Sequence, residues 1–126
     1  MLEVIDKGSS NAGPPLLFIH GVIHGAGHGA WWDEHVLDFF AANGFHAVAL
    51  SLRGHGNSPT DKRLHRCSIA DYLDDVISVA ESLEGAPVVV GHSLAGLIVQ
   101  KYLETQAAPA GVLLASVPPR GLGARS

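Results

Sequence analysis

The chain of 126 residues is short of cysteine, methionine, aromatic residues and charge: one Cys, one Met, 6% Phe, Trp and Tyr together, and 16% Asp, Glu, Lys and Arg. The lone Cys67 excludes an intrachain disulfide and any zinc site built on paired cysteines, and it fits a reducing compartment. No apolar run approaches the roughly 18 residues of a membrane span. Met1-Leu2-Glu3-Val4-Ile5-Asp6 has no basic segment followed by a long apolar stretch, so no signal peptide is read there and a cytoplasmic location is expected. Eight basic residues against twelve acidic ones give a net charge of −4. The basic residues scatter except around Lys62, Arg63 and Arg66, which suggests neither a nucleic-acid surface nor a polybasic membrane patch. Apolar residues make up 47% of the chain, well outside disordered compositions, so a core is expected within one domain spanning residues 1–126.

Short apolar runs alternate with longer helical patterns, the arrangement of βα units stacked into a parallel sheet with helices on both faces. The expected fold class is therefore α/β, a three-layer sandwich around a mostly parallel sheet. Strands are expected at Leu2–Ile5, Leu16–His20, Ala47–Leu50, Val88–Val90 and Gly111–Ala115. A first helix is predicted from about Trp31 to Asn43, with Trp32, Val36, Phe39 and Phe40 as its apolar stripe and Gly44 as its C-terminal cap. A second starts at Ser68, with Asp71 three residues on in a capping-box pattern, and turns Ile69, Leu73, Val76, Ile77, Ala80 and Leu83 inward. The third, from Ser93 to about Glu104, is apolar on most of its circumference and reads as buried.

Val88-Val89-Val90-Gly91-His92-Ser93-Leu94-Ala95-Gly96 is the most informative stretch, because a strand enters it, a helix leaves it, and a serine stands at the turn. A nucleophile elbow has that setting, and its close strand-to-helix passage demands small residues two before and two after the serine. Gly91 and Ala95 meet the demand; Ala95 departs from the usual glycine by one methyl, and Gly96 follows it. A serine nucleophile also needs an oxyanion hole. Leu94 supplies one backbone N–H, and the strand running into His20-Gly21 supplies the other, from Val22 or next Ile23. The plainer alternative is a tight βα turn capped by a serine.

With those residues in view, the chain resembles the α/β-hydrolase family, in particular its bacterial esterase and lysophospholipase-like members. The likeness rests on the His20-Gly21 loop with Gly29-Ala30-Trp31, on Leu50-Ser51-Leu52-Arg53-Gly54-His55-Gly56-Asn57-Ser58, on the serine elbow, and on Gly111 to Gly121 with Ser116-Val117-Pro118-Pro119. The His-Gly loop leading to Gly-Ala-Trp is also similar to that of plant methylesterases and hydroxynitrile lyases. The resemblance implies a serine hydrolase acting on carboxylic esters through an acyl-enzyme on Ser93, with no cofactor and a small-molecule ester as its partner. It also implies a triad in the order Ser, then Asp or Glu, then His.

All eight histidines precede Ser93, no aspartate follows it, and Glu104 is the one later acid, roughly 16 Å down the elbow helix at 1.5 Å per residue. The resemblance thus implies an incomplete α/β-hydrolase fold that lacks the cap and the last strands. A homodimer or association with a missing C-terminal half would follow, since Gly111–Ala115 would be an unprotected edge. A substitute base for Ser93 within the chain would have to be His20, His55 or His92, each reaching the serine from the side opposite to the triad histidine. The spacing of His20, His24 and His28 invites a metal reading, but Gly21, Gly25, Gly27 and Gly29 make a ligand-bearing helix improbable, so no metal is expected. No phosphate-loop pattern is present. The competing functional class is a non-catalytic binding or interaction protein built on the first half of the fold.

Overall fold

The computed structural model describes residues 2–21, 32–60 and 67–116, without the side chains of Glu34 and His35. Five strands form one sheet: β1 Val4–Lys7, β2 Leu16–Ile19, β3 Ala47–Leu50, β4 Val88–His92 and β5 Gly111–Leu114. Their order is β1-β3-β2-β4-β5, with β1 antiparallel to β3 and every other pair parallel. The expected first strand is displaced two residues toward the C-terminus, since Val4 must pair with Leu50 and Lys7 with Ala47. β4 extends two residues beyond the apolar run that announces it.

Among the described residues three helical elements cover the sheet. α1 begins with a π-wound segment, Asp33–Leu37, and continues as an α-helix over Asp38–Ala42. α2 spans Ile69–Glu81 and α3 spans Leu94–Thr105. The wide π turn inserts extra arc into α1 and rotates the residues after it. As a result Leu37 is buried and Phe39, expected in the stripe, is 64% exposed, while Trp32 and Phe40 pack on Phe18 with ring centroids 5.0 and 5.6 Å away. Trp31 lies outside the described residues. The start of α2 is a reciprocal capping box: the Ser68 hydroxyl accepts from the Asp71 N–H, and the Asp71 carboxylate accepts from the Ser68 N–H.

Strand alternation separates two apolar layers. Leu17, Ile19, Val48, Leu50 and Val89 face α2 and α3, where they meet Val76, Val79, Ile98, Val99 and Tyr102. Leu16, Phe18, Ala47, Ala49 and Val90 face α1 and meet Trp32 and Leu37. β2 and β3 are buried on both faces, which is why each reads as an unbroken apolar run. Each fully buried Leu, Ile or Val in these layers contributes about 1.5–3 kcal/mol. The connections from β2 to β3 and from β3 to β4 leave in opposite directions along the sheet, so the order reverses between β2 and β4. In open α/β sheets the crevice beyond the C-terminal strand ends at such a reversal is where ligands bind. Among the described residues no helix is long and apolar enough to cross a membrane.

Candidate active site

Both C-terminal ends that flank the reversal carry residues singled out from the sequence: His20-Gly21 after β2 and Ser93 after β4. Ser93 stands between strand and helix with φ 59° and ψ −122°. A β-carbon in this region is strained at a cost of about 1–3 kcal/mol. Two hydrogen bonds hold it there, from the Ser93 N–H to the Leu114 carbonyl at 2.9 Å and from the Gly96 N–H to the Ser93 carbonyl at 3.0 Å. The side chain caps no helix amide. It is half-buried, and no described side chain hydrogen-bonds to its hydroxyl.

The small residues around Ser93 have distinct reasons. A β-carbon at Gly91 would run into the Ala95 backbone and lie 2.7 Å from Val99 Cγ2, so strand and helix cross too closely for any side chain there. Ala95 is fully buried in that crossing. Gly96 is small for another reason, because a β-carbon there would collide with Ser116, the residue that follows the turn after β5. Gly21 passes directly over the serine: a β-carbon on it would lie 3.4 Å from both the His92 carbonyl oxygen and Ser93 Cβ, and 3.9 Å from Ser93 Oγ. Val22 and Ile23, the residues expected to offer the second amide, lie outside the described residues, as do His24 and His28. The Leu94 N–H opens α3 and, as the first helical amide, has no acceptor within the helix.

His20 is 2% exposed and its ring bridges two backbone segments. Nδ1 donates to the Gly21 carbonyl at 2.6 Å, and Nε2 accepts from the Leu52 N–H at 2.9 Å. Acceptance at Nε2 makes the ring a neutral imidazole with its proton on Nδ1. His55 packs beside it at 5.0 Å between ring centroids and donates from Nδ1 to the Arg53 carbonyl at 3.0 Å. His92, next to the serine, sets its ring edge-on to Trp32 at 6.5 Å.

Two anchors without a local sequence pattern hold the Ser51–Ser58 turn. Arg53 receives Asp75 in a forked pair, with Arg53 Nη2 to Asp75 Oδ1 at 2.8 Å, and the Arg53 backbone N–H donates to Asp75 Oδ2 at 2.8 Å. Hydrogen bonding to Asp75 raises the Arg53 pKa above its ordinary value, with partial burial opposing. Glu3 binds the far side of the turn, accepting from the Ser51 hydroxyl at 2.6 Å and from Asn57 Nδ2 at 2.6 Å. Neither anchor has a local signal, since Arg53 and Asp75 are 22 residues apart and Glu3 and Asn57 are 54 apart. The i, i+4 acids Asp71 and Asp75 on α2 were the available hint, because the Arg53 guanidinium also lies 3.7 Å from Asp71.

A mostly parallel sheet between helical layers, with a strained serine turn at the point where strand order reverses, is the arrangement of an α/β hydrolase. The chain belongs to the alpha/beta hydrolase family, whose sequence pattern matches residues 16–126. It is 34% identical over 111 residues to a non-heme chloroperoxidase of Burkholderia pyrrocinia and 38% identical over 117 residues to a bifunctional esterase/perhydrolase of Acinetobacter calcoaceticus. Each match covers 83% of this chain and 38% of the relative, so the chain spans well under half the length of these relatives. An epoxide hydrolase from Vigna radiata superposes with a TM-score of 0.77 at 26% identity, covering 94% of this chain and 35% of that structure.

Proposed function

We propose that this chain is the serine-bearing part of a carboxylic-ester hydrolase, with Ser93 as nucleophile. The observation that carries the reading is the Ser93 backbone, held at φ 59° beneath the Gly21 loop with its hydroxyl free of structural duty. Ser93 Oγ attacks the acyl carbonyl, and the carbonyl oxygen gathers charge in front of the Leu94 N–H and the amide of Val22, with Ile23 the next donor along. Gly91, Ala95 and Gly96 permit the turn, while His20 and Gly21 set the loop that faces it. The acyl group passes to Ser93, the alcohol leaves with a proton, and water releases the acid. An esterase/perhydrolase relative at 38% identity supports the ester class.

The proton must go to a base that no residue after Ser93 in this sequence supplies. His20 has its Nε2 committed to Leu52, and the described histidines make no hydrogen bond to Ser93. The triad His and its acid are therefore assigned to further polypeptide, joined to this chain or associated with it. The 126-residue chain alone should turn over p-nitrophenyl acetate negligibly, because loss of a triad histidine costs on the order of a millionfold. Extended after Ser126 with the segment that follows the matched region of the Acinetobacter calcoaceticus relative, it should hydrolyse the ester, and Ser93→Ala should abolish that rate. Undiminished hydrolysis by the Ser93→Ala variant would overturn the assignment and leave a binding role as the better reading. The lone Cys67 supports a reducing, cytoplasmic setting.

A further inference from the structure

We infer that Ser116 is a positioning residue for the serine turn: seated against Gly96 and bonded to Gln100 on α3, it holds the Leu114 carbonyl on the Ser93 N–H and so keeps Ser93 in the conformation that presents its hydroxyl to an acyl group. The inference rests on the reading of Ser93 as nucleophile. Among the described residues, two that are not glycine have positive φ, Ser93 at 59° and Ala115 at 49°. They meet at one hydrogen bond. The Ser93 N–H lies in the peptide group that leads into Ser93, the Leu114 carbonyl lies in the peptide group that leads into Ala115, and the two groups bond at 2.9 Å. A planar peptide group is oriented by ψ of the residue before it and φ of the residue after it. The φ of Ala115 therefore helps aim the carbonyl, as the φ of Ser93 helps aim the N–H.

An alanine does not hold a left-handed conformation by its own preference, because its β-carbon crowds the following carbonyl oxygen. A contact beyond Ala115 has to fix the turn, and Ser116 makes it. The Ser116 side chain fills the space over Gly96: a β-carbon on Gly96 would collide with Ser116 Oγ and Cβ and would lie 3.0 Å from Ser116 Cα. One helical turn further along α3, Gln100 Nε2 donates to Ser116 Oγ at 3.2 Å. Gly96 and Gln100 are four residues apart and so share a face of the helix, one as the seat for Ser116 and the other as its latch.

The same seat acts on the serine, since the Gly96 N–H donates to the Ser93 carbonyl at 3.0 Å. Both peptide groups of Ser93 are thus tied to what Ser116 joins, the end of β5 on one side and the first turn of α3 on the other. At its other end β5 meets α3 through Gly111 against Leu103 and Val99. Apolar contact of that kind is non-directional and does not set how far β5 slides along the helix. The bond from Gln100 and the fit over a bare Gly96 Cα do set it.

The test reads amide exchange in the 126-residue chain and in its Ser116→Ala, Gln100→Ala and doubly substituted variants. Each variant should speed exchange of the Ser93 N–H about fivefold, the worth of one hydrogen bond, while the Val48 N–H in the buried strand β3 stays unchanged. The double variant should exceed neither single one, because both substitutions remove the same bond. Additive effects, unchanged exchange at Ser93, or an equal acceleration at Val48 that marks a general loss of stability would each overturn the inference. In the chain extended after Ser126, the same variants should lower kcat for p-nitrophenyl acetate with KM unchanged, and a raised KM at constant kcat would also overturn it. An extended chain that does not hydrolyse the ester overturns the nucleophile reading alone, because exchange at Ser93 still decides whether Ser116 positions the turn.

Discussion

Ser93 adopts a backbone conformation that its own side chain disfavours, and the surrounding contacts impose it. The Leu114 carbonyl and the Gly96 N–H fix its peptide groups, while Gly91 allows α3 to cross β4 at a distance no β-carbon would survive. That explains why Ala95 is tolerated where the usual pattern has glycine: at position 95 the crossing leaves room for one methyl, and at position 91 it leaves none. His20 acts at the same scale. By spanning the Gly21 carbonyl and the Leu52 N–H it ties the loop over the serine to the chain leaving β3. His20→Leu nearly keeps the volume but strands a buried N–H, and should destabilise the chain by about 1–3 kcal/mol in urea unfolding. Unchanged stability would show that water or another group satisfies Leu52.

Among the elements, the Ser51–Ser58 turn is fastened most firmly, by Arg53 to α2 and by Glu3 to the N-terminal segment. Asp75 is 5% exposed, so Asp75→Ala leaves the partly exposed Arg53 guanidinium without its principal partner; losing hydrogen bonds to a charged group of this kind costs about 1.5–3 kcal/mol. Thermal or denaturant unfolding should show that loss, and a change under 1 kcal/mol would place Arg53 in solvent. Much at this scale was legible in the sequence. β2, β3 and β5 announce themselves as apolar runs, and the capping box of α2 stands in Ser68 and Asp71. The inward face of α2 was legible in part: Val76 and Ala80 are buried and Ile69, Leu73, Ile77 and Leu83 pack half-buried against the core, while Tyr72, Val79 and Asp75, which pairs with Arg53, are buried beside them without a signal in the stripe. The π-wound start of α1 likewise moved Phe39 out, and a strict 3.6-residue period cannot register an inserted turn.

For the molecule as a whole, sheet order places the serine between the glycine loop that follows β2 and the end of β5. β4 lies between β2 and β5, so Gly21 approaches Ser93 from one neighbour while Leu114 holds it from the other. The elbow was readable from sequence because strand, small residues and helix are contiguous there. Which described helix lies over which face was not, since that depends on packing between residues far apart in the chain. The central claim, that Ser93 is the nucleophile, is tested most directly by covalent trapping. The chain completed with the relative's remaining segment is treated with diisopropyl fluorophosphate, digested and read by mass spectrometry. The account predicts one diisopropylphosphoryl adduct, on the peptide containing Ser93 and absent from Ser93→Ala; an active protein labelled at another residue, or left unlabelled, would contradict it.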